Sequence, residues 1–272
     1  MIRLSRPALA VRSHDPRGLM VACLTGAALT LGVVQAKADP ALEFTVMGGA
    51  QVQPDYFGAP SSSLGPTGAF GLGYVAFRGM ELGEAGRGHL PVGTGLGGAF
   101  RFIDKRNAAL APELAGLDPI GRSVELGLRL QHTEPGWQIF GEARYGVVGH
   151  HSFVGELGAN LILRPTDALT LSAGPRLSLG SRRFNDTYFG VSADESAASG
   201  GAFAAYAPTA GVVGTGLEIG AHYAFTPDWA VVGEVRYDRL SGEASQSPIV
   251  QQGSRDQFIF TLGIERRFQL RF

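Results

Sequence analysis

Residues 257–272 alternate almost without fault between apolar and polar side chains. Phe258, Phe260, Leu262, Ile264, Phe268, Leu270 and Phe272 fall on one face; Gln257, Thr261, Glu265, Arg267, Gln269 and Arg271 fall on the other. A strand sends successive side chains to opposite sides, so this segment has one oily face and one wet face. In a water-soluble protein the oily face would be a core face. Two features favour lipid instead: the run is long for a soluble strand, and it stops on an aromatic residue. Arg266 is the one break in the apolar series.

Composition narrows the field further. Forty of the 272 residues are Gly, without a collagen-like period, and apolar side chains are plentiful, which excludes fibrous and disordered chains. A formal charge of -1 gives no reason to expect nucleic acid as a partner. Arg3, Arg6, Arg12 and Arg17 precede an apolar run over 19–34 and Ala36-Lys37-Ala38. That is the pattern of a secretory signal cleaved after Ala38, with Met20 as an alternative start. A lipoprotein signal at Cys23 lacks the apolar run before it. Cleavage takes five of 23 basic and one of 24 acidic residues, leaving a formal charge of -5, and removes the only Cys. Disulfide and thiol chemistry are thereby excluded from the mature chain, read as a single domain over 39–272. No later stretch has the ~20 apolar residues of a membrane helix.

The alternation recurs along the chain. It is clear over 42–53, 123–133, 137–147, 153–163, 169–179, 217–225 and 231–238, and weaker in the Gly-rich stretches 69–78 and 92–104. In the last of these, Phe100 and Phe102 are read on the polar side. Short turns at Pro135, Pro165 and Pro227 alternate with longer polar connections after Gln53, Asp104, Phe184 and Leu240. The connection over 105–119 has the Ala and Leu content for a short helix, limited by Pro112 and Gly116. Membrane barrels of the outer-membrane type show this asymmetry of short periplasmic turns and long outer loops. The expected fold is an all-β, antiparallel up-and-down transmembrane barrel of about ten strands, or twelve if 79–91 holds a hairpin. Trp137, Trp229, Tyr223, Phe225 and Tyr145 lie near strand ends, where interfacial aromatics belong.

The face read as inward carries Glu125, Glu142, Glu156, Glu218, Glu234, Asp238 and Glu265, with Arg129, Arg144, Arg164, Arg176, Arg182, Arg236 and Arg267. A lumen of about ten strands is narrow. The charges therefore read either as a cross-linked plug or as the lining of a constricted pore. Catalytic readings are weaker. His151 and Ser152 are adjacent and point apart on a strand, and Arg236 lies between Glu234 and Asp238, which suits a salt bridge better than an acid/base pair. Adjacent His150 and His151, without carboxylate company, are poor metal ligands. The expectation is a protein that is not an enzyme and uses no cofactor or metal.

Three segments carry a family resemblance: Asp186-Thr187-Tyr188-Phe189-Gly190-Val191, Ser196-Ala197-Ala198-Ser199-Gly200, and Ser247-Pro248-Ile249-Val250 with Gly253-Ser254-Arg255-Asp256-Gln257-Phe258. Together they resemble the MipA/OmpV family, from about residue 121 to the end; 79–101 departs from the family pattern. The resemblance implies an outer-membrane protein embedded in lipid, with no catalytic residues to carry over. It further implies a scaffold joining a lytic transglycosylase to a penicillin-binding protein; porin-like, adhesin or stress-response roles are the alternatives. A closing strand that ends on Phe268, Leu270 and Phe272 resembles those recognised by the barrel-assembly machinery. The segments 186–191 and 247–258 are expected to fold over the barrel mouth, with Arg255 paired to Asp256.

Overall fold

The computed structural model describes residues 41–77, 80–83 and 92–271. The signal segment, most of 79–91 and Phe272 lie outside them. Ten long strands form the wall: β1 (Ala41–Pro54), β2 (Ser62–Phe77), β4 (Gly93–Ile103), β5 (Ser123–Glu134), β6 (Trp137–Val148), β7 (Phe153–Leu163), β8 (Leu169–Gly180), β9 (Gly211–Ala224), β10 (Trp229–Leu240) and β11 (Asp256–Arg271). A four-residue strand, β3 (Met80–Gly83), folds back on the end of β2. The sheet is antiparallel, in the order β3-β2-β1-β11-β10-β9-β8-β7-β6-β5-β4. First and last strands meet in a continuous ladder from Ala41↔Arg271 to Val52↔Phe260. Curling that sheet round brings β4 to β2, where a Cβ on Gly98 would lie 3.0 Å from the Phe70 ring.

Burial is inverted relative to a soluble protein. Leu128, Leu161, Leu217, Ile219 and Leu262 are each about three-fifths or more exposed, whereas Glu125, Thr133, Gln138, Arg144, Glu156 and Arg176 are buried. In water this arrangement would leave a broad apolar girdle unpaid for; in hydrocarbon it places every oily side chain in a matching solvent. Arg266 shares the outward register, and its guanidinium stacks 5.0 Å from the Trp229 ring and 4.9 Å from that of Phe268. This break in the apolar series therefore sits beside a belt aromatic at a strand end, where a long cationic side chain reaches the interface.

Two strand-face readings are corrected. Phe100 is exposed on the outer face, because Gly95, Gly97 and Ala99 are the inward positions of β4. The glycines on the inward positions give that strand no polar face to reveal its register. Arg182 does not line the lumen but opens α1 (Arg182–Phe189). The connection over 104–122 contains one 3-10 turn, Pro112–Leu114.

Replacing Leu128 with Arg at mid-strand should cost ~2–4 kcal/mol when unfolding is followed in lipid vesicles. Leu128→Ile should be close to silent; equal effects of the two changes would contradict a lipid-facing position.

Candidate functional site: a salt-bridged lumen beneath an aromatic cap

Strand alternation aims the charges inward, and register then chooses their partners. Arg101 is opposite Glu125 across β4–β5, and its Nη2 lies 2.6 Å from Glu125 Oε1. Arg129 is opposite Glu142 across β5–β6, with Nε 3.1 Å from Oε2. Arg144 joins the two pairs, donating Nε to Glu125 Oε2 at 2.9 Å and contacting Glu142. A second group centres on Arg236, which reaches Glu156 Oε2 at 2.9 Å and Asp238 Oδ2 at 2.6 Å. Arg176 completes it, donating to Glu218 Oε1 at 2.6 Å and Asn160 Oδ1 at 2.8 Å. Glu265 is met by His222 Nε2 at 3.0 Å. Glu234 stands apart: among the described residues no cation lies in ion-pair contact with it, and Arg236 has turned to Asp238. Arg164 lies at the turn end, where its Nη1 donates to the Pro135 carbonyl.

Phe140 fills the lower lumen beside these charges. Its ring carries the Arg129 guanidinium at 3.8 Å and that of Arg176 at 5.0 Å. A Cβ on Gly158 would collide with that ring, so this glycine is where the ring gains its room. The network leaves a cavity of about 510 Å³ above and beside it.

A small folded cap closes the outer end. It comprises α1, α2 (Ala193–Ala198), α3 (Gly242–Gln246), α4 (Pro248–Gln252) and the connections over 55–61 and 104–122. Ser181 caps α1 by accepting from Phe184 N–H, and Ser192 with Glu195 forms a capping box on α2. Helical spacing then places Phe184 and Tyr188 on one side of α1, with Phe189 beside them. All three are buried with Val213, Leu240 and Val250, and Phe57 packs onto them with ring centres 5.1 to 5.8 Å away. A second core holds Tyr56, Leu114, Leu117, Phe203 and Ile249. The expected long polar loop after β8 is thus two helices with an apolar interior.

The resemblance-bearing residues hold this cap. Asp186 accepts from Gly190 N–H, Thr187 Oγ1 donates to the Arg183 carbonyl, and Ser247 Oγ donates to the Phe189 carbonyl at 2.7 Å. Pro248 begins α4, where a missing N–H costs nothing. The expected Arg255–Asp256 pair does not form. Arg255 donates to the Ser245 carbonyl at 3.0 Å, while Asp256 takes Arg239 at 3.0 Å and the Tyr237 hydroxyl at 2.7 Å. Arg255 lies in the bend just before β11 and turns back to the end of α3, whereas Asp256, the first residue of β11, meets partners across the β10–β11 ladder. Phe268 stacks on Phe44 with ring centres 5.0 Å apart, and Leu270 is exposed.

Sequence reasoning missed the joint between lumen and cap. His150, not His151, is the buried histidine: Gly149 at φ 90 and His151 at φ 48 turn the chain so that it points inward. Its Nε2 lies 3.0 Å from Glu125 Oε1, and its Nδ1 lies 2.6 Å from Ser152 Oγ. The three residues have the composition of a hydrolase triad, but all are buried, and Phe184 and Tyr188 meet the imidazole edge-on. Arg101 adds a second link, lying 5.7 Å from the Phe57 ring and 5.6 Å from that of Phe184. Tyr188 supplies a third, donating its hydroxyl to Ser123 Oγ at 2.9 Å.

Two carboxylates set the cap's response to acid. Burial works against the charge of Glu195, but hydrogen bonds from Ser192 N–H and Asp118 N–H outweigh it and hold its carboxyl below the usual range. Glu243 is likewise held low by Thr209 N–H. Tyr206 is pushed up to about 12 by burial and by Glu243 beside its hydroxyl.

Inverted burial, an ion-paired lumen and a folded outer cap define a transmembrane β-barrel of the outer-membrane kind. The chain belongs to the family described as MltA-interacting protein MipA, whose model matches residues 46–268. It is 40% identical over 84 residues to the MltA-interacting protein of Escherichia coli K12, a stretch covering 31% of this chain and 33% of that relative. The alignment thus spans about a third of the curated relative's length. Among solved structures it is similar to an outer membrane channel from Pseudomonas putida F1, with 13% identity, 86% of this chain and 98% of that one covered, and a TM-score of 0.41. It is also similar to the outer membrane protein OprG from Pseudomonas aeruginosa, at 12% identity, 85% and 98% coverage and a TM-score of 0.31.

Two outcomes are expected. Glu125→Ala strands the Arg101 guanidinium and leaves Arg144 with Glu142 alone, and should destabilise the barrel by ~3–5 kcal/mol in denaturant unfolding, with Glu125→Gln the milder change. Glu195, held low when folded, stabilises the cap fully above the ordinary carboxylate range and less as pH falls through its lowered value. Protease cleavage within 190–210 should therefore rise in acid, and Glu195→Gln should raise it already at neutral pH.

Proposed function

We propose that this chain is a non-enzymatic scaffold of the outer membrane: a capped barrel whose periplasmic end holds a peptidoglycan-remodelling enzyme close to the membrane. The observation that supports this most is the packed cap over the mouth. Four rings, Phe57, Phe184, Tyr188 and Phe189, close the outer end over a lumen already cross-linked by ion pairs. Such a barrel is an anchor first. The family description and the name of the Escherichia coli relative both denote interaction with MltA, and the reading assigns a lytic transglycosylase, with a penicillin-binding protein, as partners here. Export with cleavage after Ala38 and delivery by the barrel-assembly machinery through Phe268, Leu270 and Phe272 belong to the same proposal.

The surface available for a partner is small and carries both signs of charge, with Arg164 and Arg266 exposed there as well as acids. The periplasmic turns are short, and Asp167 and Asp228 are exposed on two of them. Arg164 ties one turn to its neighbour through the Pro135 carbonyl, which makes the end a firm platform. A second reading, a narrow channel, is favoured by the cavity of about 510 Å³ in the lumen and requires the cap to move.

Pull-down from crosslinked envelopes, paired with bilayer conductance of the same purified protein, separates the readings. The scaffold reading expects the transglycosylase to be captured, capture to fall on Asp167→Lys with Asp228→Lys, and no conductance steps from the unaltered protein. Steps that shift on Arg236→Gln or Glu142→Gln, without capture of the enzyme, would overturn it in favour of a channel.

A further inference from the structure

The wall of the lumen is not equally closed all round. Along β5, β6, β10 and β11 the cavity is bordered by alternate residues, such as Gln138, Phe140, Glu142 and Arg144, as expected when one face looks inward. Along β1, β7, β8 and β9 consecutive runs are limited to two or three residues (43–45, 154–156, 178–179 and 213–214), whereas along β2 and β4 they extend over 67–72 and 97–103. Both faces of these two strands therefore touch the same space, and that space reaches Phe70 and Phe100, which are exposed on the lipid side. No hydrogen-bonded ladder joins β2 to β4 among the described residues, and these strands end the sheet order with β3.

The sequence of the seam agrees independently. Pro66 lies within the 16-residue β2 and has no N–H to donate, a feature tolerated at a sheet edge and costly inside a sheet. Both strands are rich in glycine, at 65, 68 and 71 and at 93, 95, 97 and 98, and the Phe70 ring lies close against Gly98. Phe44 packs against Phe70 at 5.7 Å, giving the outer lip an aromatic surface.

We propose that the seam between β2 and β4 is a lateral portal, through which a single-chain amphiphile bearing a protonated amine enters the lumen from the membrane. The chain lies along Phe44, Phe70 and Phe100, in contact with lipid, and the head group enters the polar cavity. Charge selects the head. The cavity wall carries nine carboxylates against six guanidiniums. The guanidiniums are engaged, through the pairs described above and a further contact of Arg267. Three carboxylates on that wall, Glu43, Asp55 and Glu234, have no ion-pair contact among the described residues. Glu43 accepts from Gln269 and Asp55 from Ser61, whereas Glu234 has neither ion pair nor side-chain donor there, and Arg129, Arg176 and Arg236 bond other acids. An ammonium group offers Glu234 the partner that the protein does not. With the outer mouth capped, the membrane is the direct route for a ligand with a long apolar chain.

The test uses full-length protein purified in a neutral detergent, in a Cys23→Ala background, with adducts counted by native mass spectrometry. Dodecylammonium should bind about tenfold or more tightly than dodecanoate or butylammonium, the size of one charge-assisted contact or of an apolar chain. Glu234→Gln should remove the preference for the amine over the carboxylate. Phe70→Cys with Gly98→Cys, joined by a short bifunctional thiol reagent, should block uptake of the long amine, while the unjoined double variant takes it up. Equal uptake by joined and unjoined protein would overturn the portal. Equal binding of dodecanoate, or no binding of dodecylammonium at all, would overturn the assignment of the ligand.

Discussion

Hydrocarbon offers no hydrogen bonds, so a peptide group placed in it must find its partner within the protein. In this chain the constraint is met by the antiparallel ladders that run from β2 through β1 and β11 round to β4, with β1 laid against β11 along most of its length. The β2–β4 seam is where no ladder is seen among the described residues. Side-chain placement follows from the same solvent. Once the outward register is oily, the inward register receives whatever charge the sequence contains. A narrow lumen then forces those charges to neutralise one another, which is why Arg144 serves two carboxylates and Arg236 three.

Lumen and cap form one mechanical unit because Glu125 is shared. It receives Arg101 and Arg144 from the wall and His150 from the tight turn at the outer rim. Arg101 and His150 in turn touch the rings of α1. The cap core is built as a soluble protein's core is built, with aromatics inside and capped helices around them, and it sits on a barrel built the opposite way. The boundary between the two regimes is the layer of His150, Ser152, Ser123 and Tyr188, where buried polar atoms satisfy one another.

The wall was legible in the sequence because period-two alternation fixes which side chains share a face. Positions such as Leu126, Leu128 and Leu130 against Glu125 and Arg129 leave one arrangement in lipid. Which Arg meets which Glu was not legible, since it depends on register and on reach across strands. β4 hid its facing because glycine occupies three of its inward-facing or neighbouring positions, at 95, 97 and 98, which is why Phe100 was misplaced. The cap was obscured by its polar composition, although Ser181 three residues before Phe184, and Phe184 four before Tyr188, carry an N-cap and a helical spacing. His150 could not be told from His151, because only the left-handed backbone at His151 decides which of them turns in.

The central claim is that lipid is the solvent of the outer face, and the two tryptophans report on it directly. Trp137 and Trp229 are both partly exposed on that face, beside the short turns at Pro135 and Pro227. Fluorescence of the protein in vesicles containing nitroxide-labelled phospholipid measures the depth of both at once. The account predicts strong quenching by a label near the head group and weaker quenching by one at the acyl-chain centre. Emission untouched by either lipid label, yet quenched by acrylamide in the water, would contradict it.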